Sequence, residues 1–175
     1  NILEPEGGWV FETAPDISMV NPFDRVFIFP YSGSLDTISD ILTGCALLTP
    51  AILAAAPVEE WPAMGIMYVE SVIWAWGLKE LGKNFVHRLR PYMYVDGYPA
   101  GTITKGDFKQ SFPSGHTTLA FTGASFCTYV LSRYFGDSPW KAPVIVVSWS
   151  LAAATAALRV ASGSHFPTDV VTGAA

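Results

Sequence analysis

The sequence predicts an all-α fold, a bundle of membrane-spanning helices, and three observations carry that reading. Half of the 175 residues are hydrophobic, only 14% are charged and the mean hydropathy is +0.33. Soluble domains carry nearer a quarter charged residues, so this chain suits a mostly non-aqueous setting. Four apolar stretches follow one another with very short links. Tryptophans 9, 61 and 140 stand near the ends of those stretches, where aromatic side chains mark a membrane interface. Each stretch runs a little short of the ~20 residues that cross a bilayer, a length at which the buried core of a soluble helical protein reads the same way. The short links and the tryptophans favour spans.

Taken in order, residues 1–35 hold Pro5, Pro15, Pro22 and Pro30 with Gly7, Gly8 and Gly33, which excludes long regular elements. "VFIFPY" could be a short strand, but with no partner strand in view the segment reads as an irregular, interfacial arm. Residues 36–175 form the helical domain. The first helix, "SLDTISDILTGCALLTPAILAAA", is expected to be capped by Ser34 or Asp36, with acids in its first turn and a kink at Pro50. The second runs over 62–91, apolar up to Leu78 and charged beyond. The third covers 117–135, the fourth 142–158, and a fifth starts near Pro167. Cys45 and Cys127 both lie in apolar runs and read as buried structural thiols.

The net charge of −5 and pI near 5.0 argue against nucleic acid as a partner. Links such as "PVEEW" and "RYFGDSPWK" do not set an orientation in the membrane. A first residue that is not methionine and a last residue inside a nascent helix suggest a piece of a longer protein, trimmed at both ends.

Three clusters carry the chemistry. In "KNFVHRLRP", Lys83 and Arg90 are seven residues apart, close to two helical turns, which puts both cations on one face ~10 Å apart. A snorkelling basic helix end has the same composition. In "PSGH", Ser114 caps a helix whose first N–H groups, near Ser114 and Gly115, are free to receive an anion, and His116 is placed to give a proton to a departing oxygen. In "LRVASGSHFPTD", Arg159 offers a fork for phosphate. An Asp169 accepting the His165 N–H would fix the tautomer and make the other ring nitrogen a nucleophile. If the helices alternate up and down, all three clusters meet on one side of the bundle.

Lys83 with Arg90-Pro91, then Pro113 to His116, then Arg159, His165 and Asp169 at these spacings resemble the type 2 phosphatidic acid phosphatase superfamily. That group includes membrane lipid phosphatases, soluble bacterial acid phosphatases and vanadium haloperoxidases. Leu158 stands where the group usually has serine or glycine. The resemblance implies a six-helix membrane bundle, of which this chain would lack the first helix and most of the last. It also implies metal-independent hydrolysis of a lipid phosphate monoester or pyrophosphate, with no cofactor. Lys83, Arg90, Ser114, Gly115 and Arg159 would bind phosphate, His165 would form a phosphohistidine, Asp169 would orient it and His116 would act as acid and base. The partners expected are a lipid phosphate and the membrane, with the site on the non-cytoplasmic face. A haloperoxidase holding vanadate on His165, a lipid phosphotransferase and a non-catalytic bundle are the alternatives. His87 reads as a bystander and Glu70 as a packed polar residue within a helix.

Overall fold

The computed structural model describes residues 15–95 and 106–175. Trp9 and the start of the arm lie outside the described residues. Helix α1 spans Gly33–Leu48 and passes into a 3-10 stretch, Thr49–Ala55. Helices α2 (Trp61–Phe85), α3 (Gly115–Tyr134), α4 (Lys141–Ala161) and α5 (Pro167–Ala174) follow. No strand occurs among the described residues. "VFIFPY" is irregular, preceded by a helical turn at Pro22–Arg25 and tied to the bundle by Ser32 N–H donating to the Ser162 carbonyl at 3.1 Å.

Three boundaries differ from the sequence expectation. Ser32, neither Ser34 nor Asp36, is the residue before α1. Pro50 changes the helix type instead of kinking it, because it cannot supply the N–H of an α-helical bond. Helix α2 ends at Phe85, so Arg90 is not on it. Residues 88–90 are extended because their hydrogen bonds run sideways: Ser111 N–H donates to the Arg88 carbonyl and Arg90 N–H to the Phe108 carbonyl. Pro91 also keeps Arg90 out of the α region.

Helix α3 lies at the centre, against α1, α2, α4 and α5. Its contact with α1 and α4 is built from Ala46, Ala120, Ala124 and Ala152, and at Gly123 a Cβ would stand 2.3 Å from the Ala46 carbonyl oxygen. Small residues let helix backbones approach closely where lipid gives no hydrophobic drive to associate. The outer surface is the inverse of a soluble protein's. On α2 only Met64 and Lys79 are buried, while Ile66, Val69, Ile73, Trp74, Leu78 and Leu81 are all exposed. Helix α1 with its extension (residues 33–52) and α4 are long and apolar enough to cross a membrane, yet only 22% and 28% of their apolar windows are buried. An apolar surface this continuous is accommodated by lipid rather than water. Cys127 is buried as expected; Cys45 is exposed, on the outer face of α1.

Candidate active site

The up-and-down path brings the starts of α1, α3 and α5 and the ends of α2 and α4 to one side. There a cavity of about 230 Å³ is lined by Lys83, Arg90, Gly115, His116, Arg159 and His165, together with Asp36, Asp40, Asp107, Tyr31, Tyr92 and Ser164. The three sequence clusters therefore share one wall, although Ser114 and Asp169 stand behind it.

His165 is almost fully buried. Its Nδ1 lies 2.6 Å from the Ser111 carbonyl oxygen. A carbonyl can only accept, so Nδ1 carries the proton and Nε2 keeps its lone pair. Burial, followed by the positive charges of Arg90 and Arg159, holds the imidazole well below the ordinary histidine value and therefore neutral. The expectation that Asp169 takes this N–H needs correction, since its Oδ2 is 3.8 Å from Nδ1. That oxygen accepts from Ser111 Oγ at 2.5 Å and from Phe166 N–H at 2.8 Å, while Oδ1 pairs with Arg88 Nη1 at 2.5 Å. As third residue of α5, Asp169 reaches back to the N–H before the helix, one half of a capping box. Its link to the imidazole runs through Ser111.

Arg90 grips both oxygens of Asp107 at 2.8 and 2.7 Å and donates to the Asp107 and Ser164 carbonyls. Burial raises the Asp107 carboxyl, but Arg90 and Lys83 outweigh it and keep the group ionised. Arg159, 3% exposed, pairs with Asp36 at 2.7 Å and Asp40 at 3.3 Å. Its Nε is buried with no hydrogen-bond partner among the described residues, which native proteins seldom leave so. His116 Nε2 lies 3.0 Å from Asp40 Oδ1.

Ser114 is the residue before α3, but its N–H already donates to the Asp169 carbonyl at 3.0 Å and its Oγ accepts from Thr117. The expectation that its N–H receives an anion is therefore corrected. The first-turn N–H groups nearest the cavity are those of Gly115 and His116. His87 and Glu70 are exposed and line no part of this cavity. On the other side of the Pro113 turn an apolar groove of about 640 Å³ is lined by Leu78, Phe121, Phe126 and Tyr129.

Sequence reasoning missed Asp36, Asp40, Asp107, Ser111 and Arg88. The acids of α1 had a signal: Asp36 and Asp40 are spaced i, i+4 and share a face with Ser39 and Thr43 in an otherwise apolar helix. Ser111 acts through a backbone carbonyl, which leaves no trace in residue identity.

Comparison with known proteins agrees with this geometry. The chain is similar to the lipid A 1-phosphatase of Porphyromonas gingivalis, at 34% identity over 99 residues. That stretch is 57% of this chain but only 18% of the relative. The fold matches the crystal structure of the first transmembrane PAP2 type phosphatidylglycerolphosphate phosphatase from Bacillus subtilis with a TM-score of 0.59 at 21% identity, over 87% of this chain and 75% of that one. The profile of the PAP2 superfamily matches residues 65–175, which contain every charged residue of the three sequence clusters, and the chain belongs to that superfamily.

Proposed function

We propose that the chain hydrolyses a lipid phosphate ester without a metal, through a phosphohistidine on His165. The observation that carries this reading is the cavity itself: a buried, neutral imidazole with its Nδ1–H tied to Ser111 stands beside Lys83, Arg90 and Arg159. Those cations, with the Gly115 and His116 N–H groups, hold the phosphoryl oxygens and gain strength as charge builds in the transition state. One such donor is worth about 10²–10³ in rate. The Arg159 Nε–H, which has no partner among the described residues, is a donor that a phosphoryl oxygen would satisfy.

In the first step Nε2 of His165 forms a bond to phosphorus while the ester P–O bond breaks. His116, whose pKa burial lowers to about 4, takes up a proton as the phosphate dianion enters beside it and gives it to the leaving alkoxide. In the second, His116 takes a proton from water, whose oxygen bonds to phosphorus as the P–N bond breaks. Inorganic phosphate leaves and His165 is restored. Asp40, bonded to His116, steadies the ring that carries the proton in both directions.

The apolar outer surface and the groove beside Pro113 support a substrate with a lipid tail. The known activities of the two similar phosphatases, on lipid A and on phosphatidylglycerol phosphate, are the natural first substrates. The reading extends to a site open to the non-cytoplasmic face, for which a membrane-impermeant short-chain phosphate ester given to intact cells is the test. Phosphate release in detergent micelles containing EDTA should occur with this chain and vanish with His165→Ala. Release that His165→Ala leaves unchanged would refute the proposal, as would halide oxidation or transfer to an alcohol in place of release.

A further inference from the structure

Behind the cavity, the half-buried Arg88 is the centre of a network that the catalytic steps above do not use. Its Nη1 donates to Thr168 Oγ1 at 2.7 Å and pairs with Asp169 Oδ1. Its Nη2 pairs with Asp24 Oδ2 at 2.7 Å, and its guanidinium lies 4.2 Å over the Phe166 ring. Its backbone carbonyl accepts the Ser111 N–H at 3.0 Å, and the Ser111 carbonyl is the group that holds His165 Nδ1. Arg88 thus governs Ser111 from both ends, by main chain directly and by side chain through Asp169.

Asp24 comes from the helical turn at Pro22–Arg25, far from the three sequence clusters and outside the region the family profile matches. It is fully buried. Asn21 Nδ2 donates to it at 2.5 Å, Thr168 Oγ1 at 2.6 Å and Thr168 N–H at 3.3 Å, besides Arg88. An arginine shared by two buried carboxylates is fixed in direction, because each prong of its planar fork has its own acceptor. Remove one carboxylate and the fork is free to rotate toward the other.

We infer that Asp24 is a positioning residue for the reaction: by fixing Arg88 it holds Asp169 and Ser111 so that His165 stays in its Nδ1–H form with Nε2 aimed at phosphorus. This rests on the proposed role of His165. The arm that precedes the bundle is then part of the active-site frame.

The test is Asp24→Asn in the full chain in detergent, read by kcat and KM on short-chain phosphatidic acid. It is read also by two-bond ¹H–¹⁵N spectra of ¹⁵N-histidine-labelled protein, which report the tautomer without any substrate. The expected result is a fall in kcat on the order of tenfold to a hundredfold with KM little changed, as for loss of an outer partner or a small misplacement, and a mixed His165 tautomer. In an Asp169→Asn background the same substitution should have little further effect, since both act along one path. An unchanged His165 spectrum, or a full multiplicative loss in the double variant, overturns the inference. Should Asp24→Asn fail to fold, Arg88→Lys keeps the charge, loses the fork and carries the same two readouts. A chain that releases no phosphate, yet whose tautomer responds to Asp24→Asn, would sink the phosphatase proposal and leave the positioning role standing.

Discussion

Asp169→Asn separates this site from a direct carboxylate–histidine pair. Where an aspartate alone fixes the imidazole, as in serine proteases, the change to asparagine allows the wrong tautomer and costs about 10⁴ in kcat. Here the Ser111 carbonyl holds Nδ1 at 2.6 Å and Asp169 stands 3.8 Å away, so loss of the carboxylate reaches the tautomer only through Ser111 and mixes it in part. What is lost is the frame around Ser111. An asparagine amide cannot accept from Ser111 Oγ, Phe166 N–H and Arg88 on both of its former oxygens. The expected effect is a kcat lowered about 10-fold to 100-fold, with thermal stability lowered by about 1–3 kcal/mol for the unsatisfied buried groups. The assay is steady-state phosphate release with EDTA, beside a thermal melt to establish that the variant is folded. A loss of 10⁴ or more in a folded variant would refute the reasoning, because it would mean that Asp169 bears on the imidazole directly.

Other consequences follow from the same geometry. His116→Ala should slow hydrolysis of alkyl phosphates by about 10²–10⁴ but slow aryl phosphates with good leaving groups far less; equal losses would contradict its role as proton donor. Arg159→Lys keeps the charge but loses the planar guanidinium, whose Nη1 meets Asp36 and Asp40 and whose Nε–H is left for phosphate, and kcat/KM should fall by about 10²-fold; a variant as active as the parent would remove Arg159 from the phosphate site. Gly163 has φ +72°, and a Cβ there would stand 2.4 Å from the Phe29 carbonyl oxygen, so Gly163→Ala should destabilise the chain by about 1–3 kcal/mol, read as a drop in melting temperature. The folded chain refuses at His165 a proton that the unfolded chain takes up near pH 6.5. The His165 contribution to stability is therefore greatest above that pH and shrinks as the pH falls below it. The melting temperature should drop between pH 7 and 5.5, and less steeply in His165→Gln; equal slopes would contradict the buried neutral state.

The parts of the site that could be read from the sequence are those whose chemistry is local. Arg159, His165 and Asp169 lie within eleven residues, and Ser114 to His116 are contiguous, so spacing alone brought them together. Helix boundaries at α3, α4 and α5 followed from apolar runs and from Pro167. What could not be read depends on long-range pairing. Asp24 meets Arg88 across 64 residues, and Arg88 meets Asp169 across 81. The early end of α2 arises because residues 88–90 take their hydrogen bonds from residues 108–111, not from their own helix. A first-turn acid such as Asp36 is ordinarily a helix-dipole partner; its turn toward Arg159 and Ser164 is decided by the packing of α1 on α4.

The most direct test of the central claim is to trap the intermediate. The chain is mixed with ³²P-labelled phosphatidic acid in EDTA, quenched within a turnover under alkaline denaturing conditions and mapped by peptide analysis. The account predicts label on His165, stable to alkali, lost in acid and absent from His165→Ala. Turnover with no label on His165, or label that persists in the variant, would contradict it.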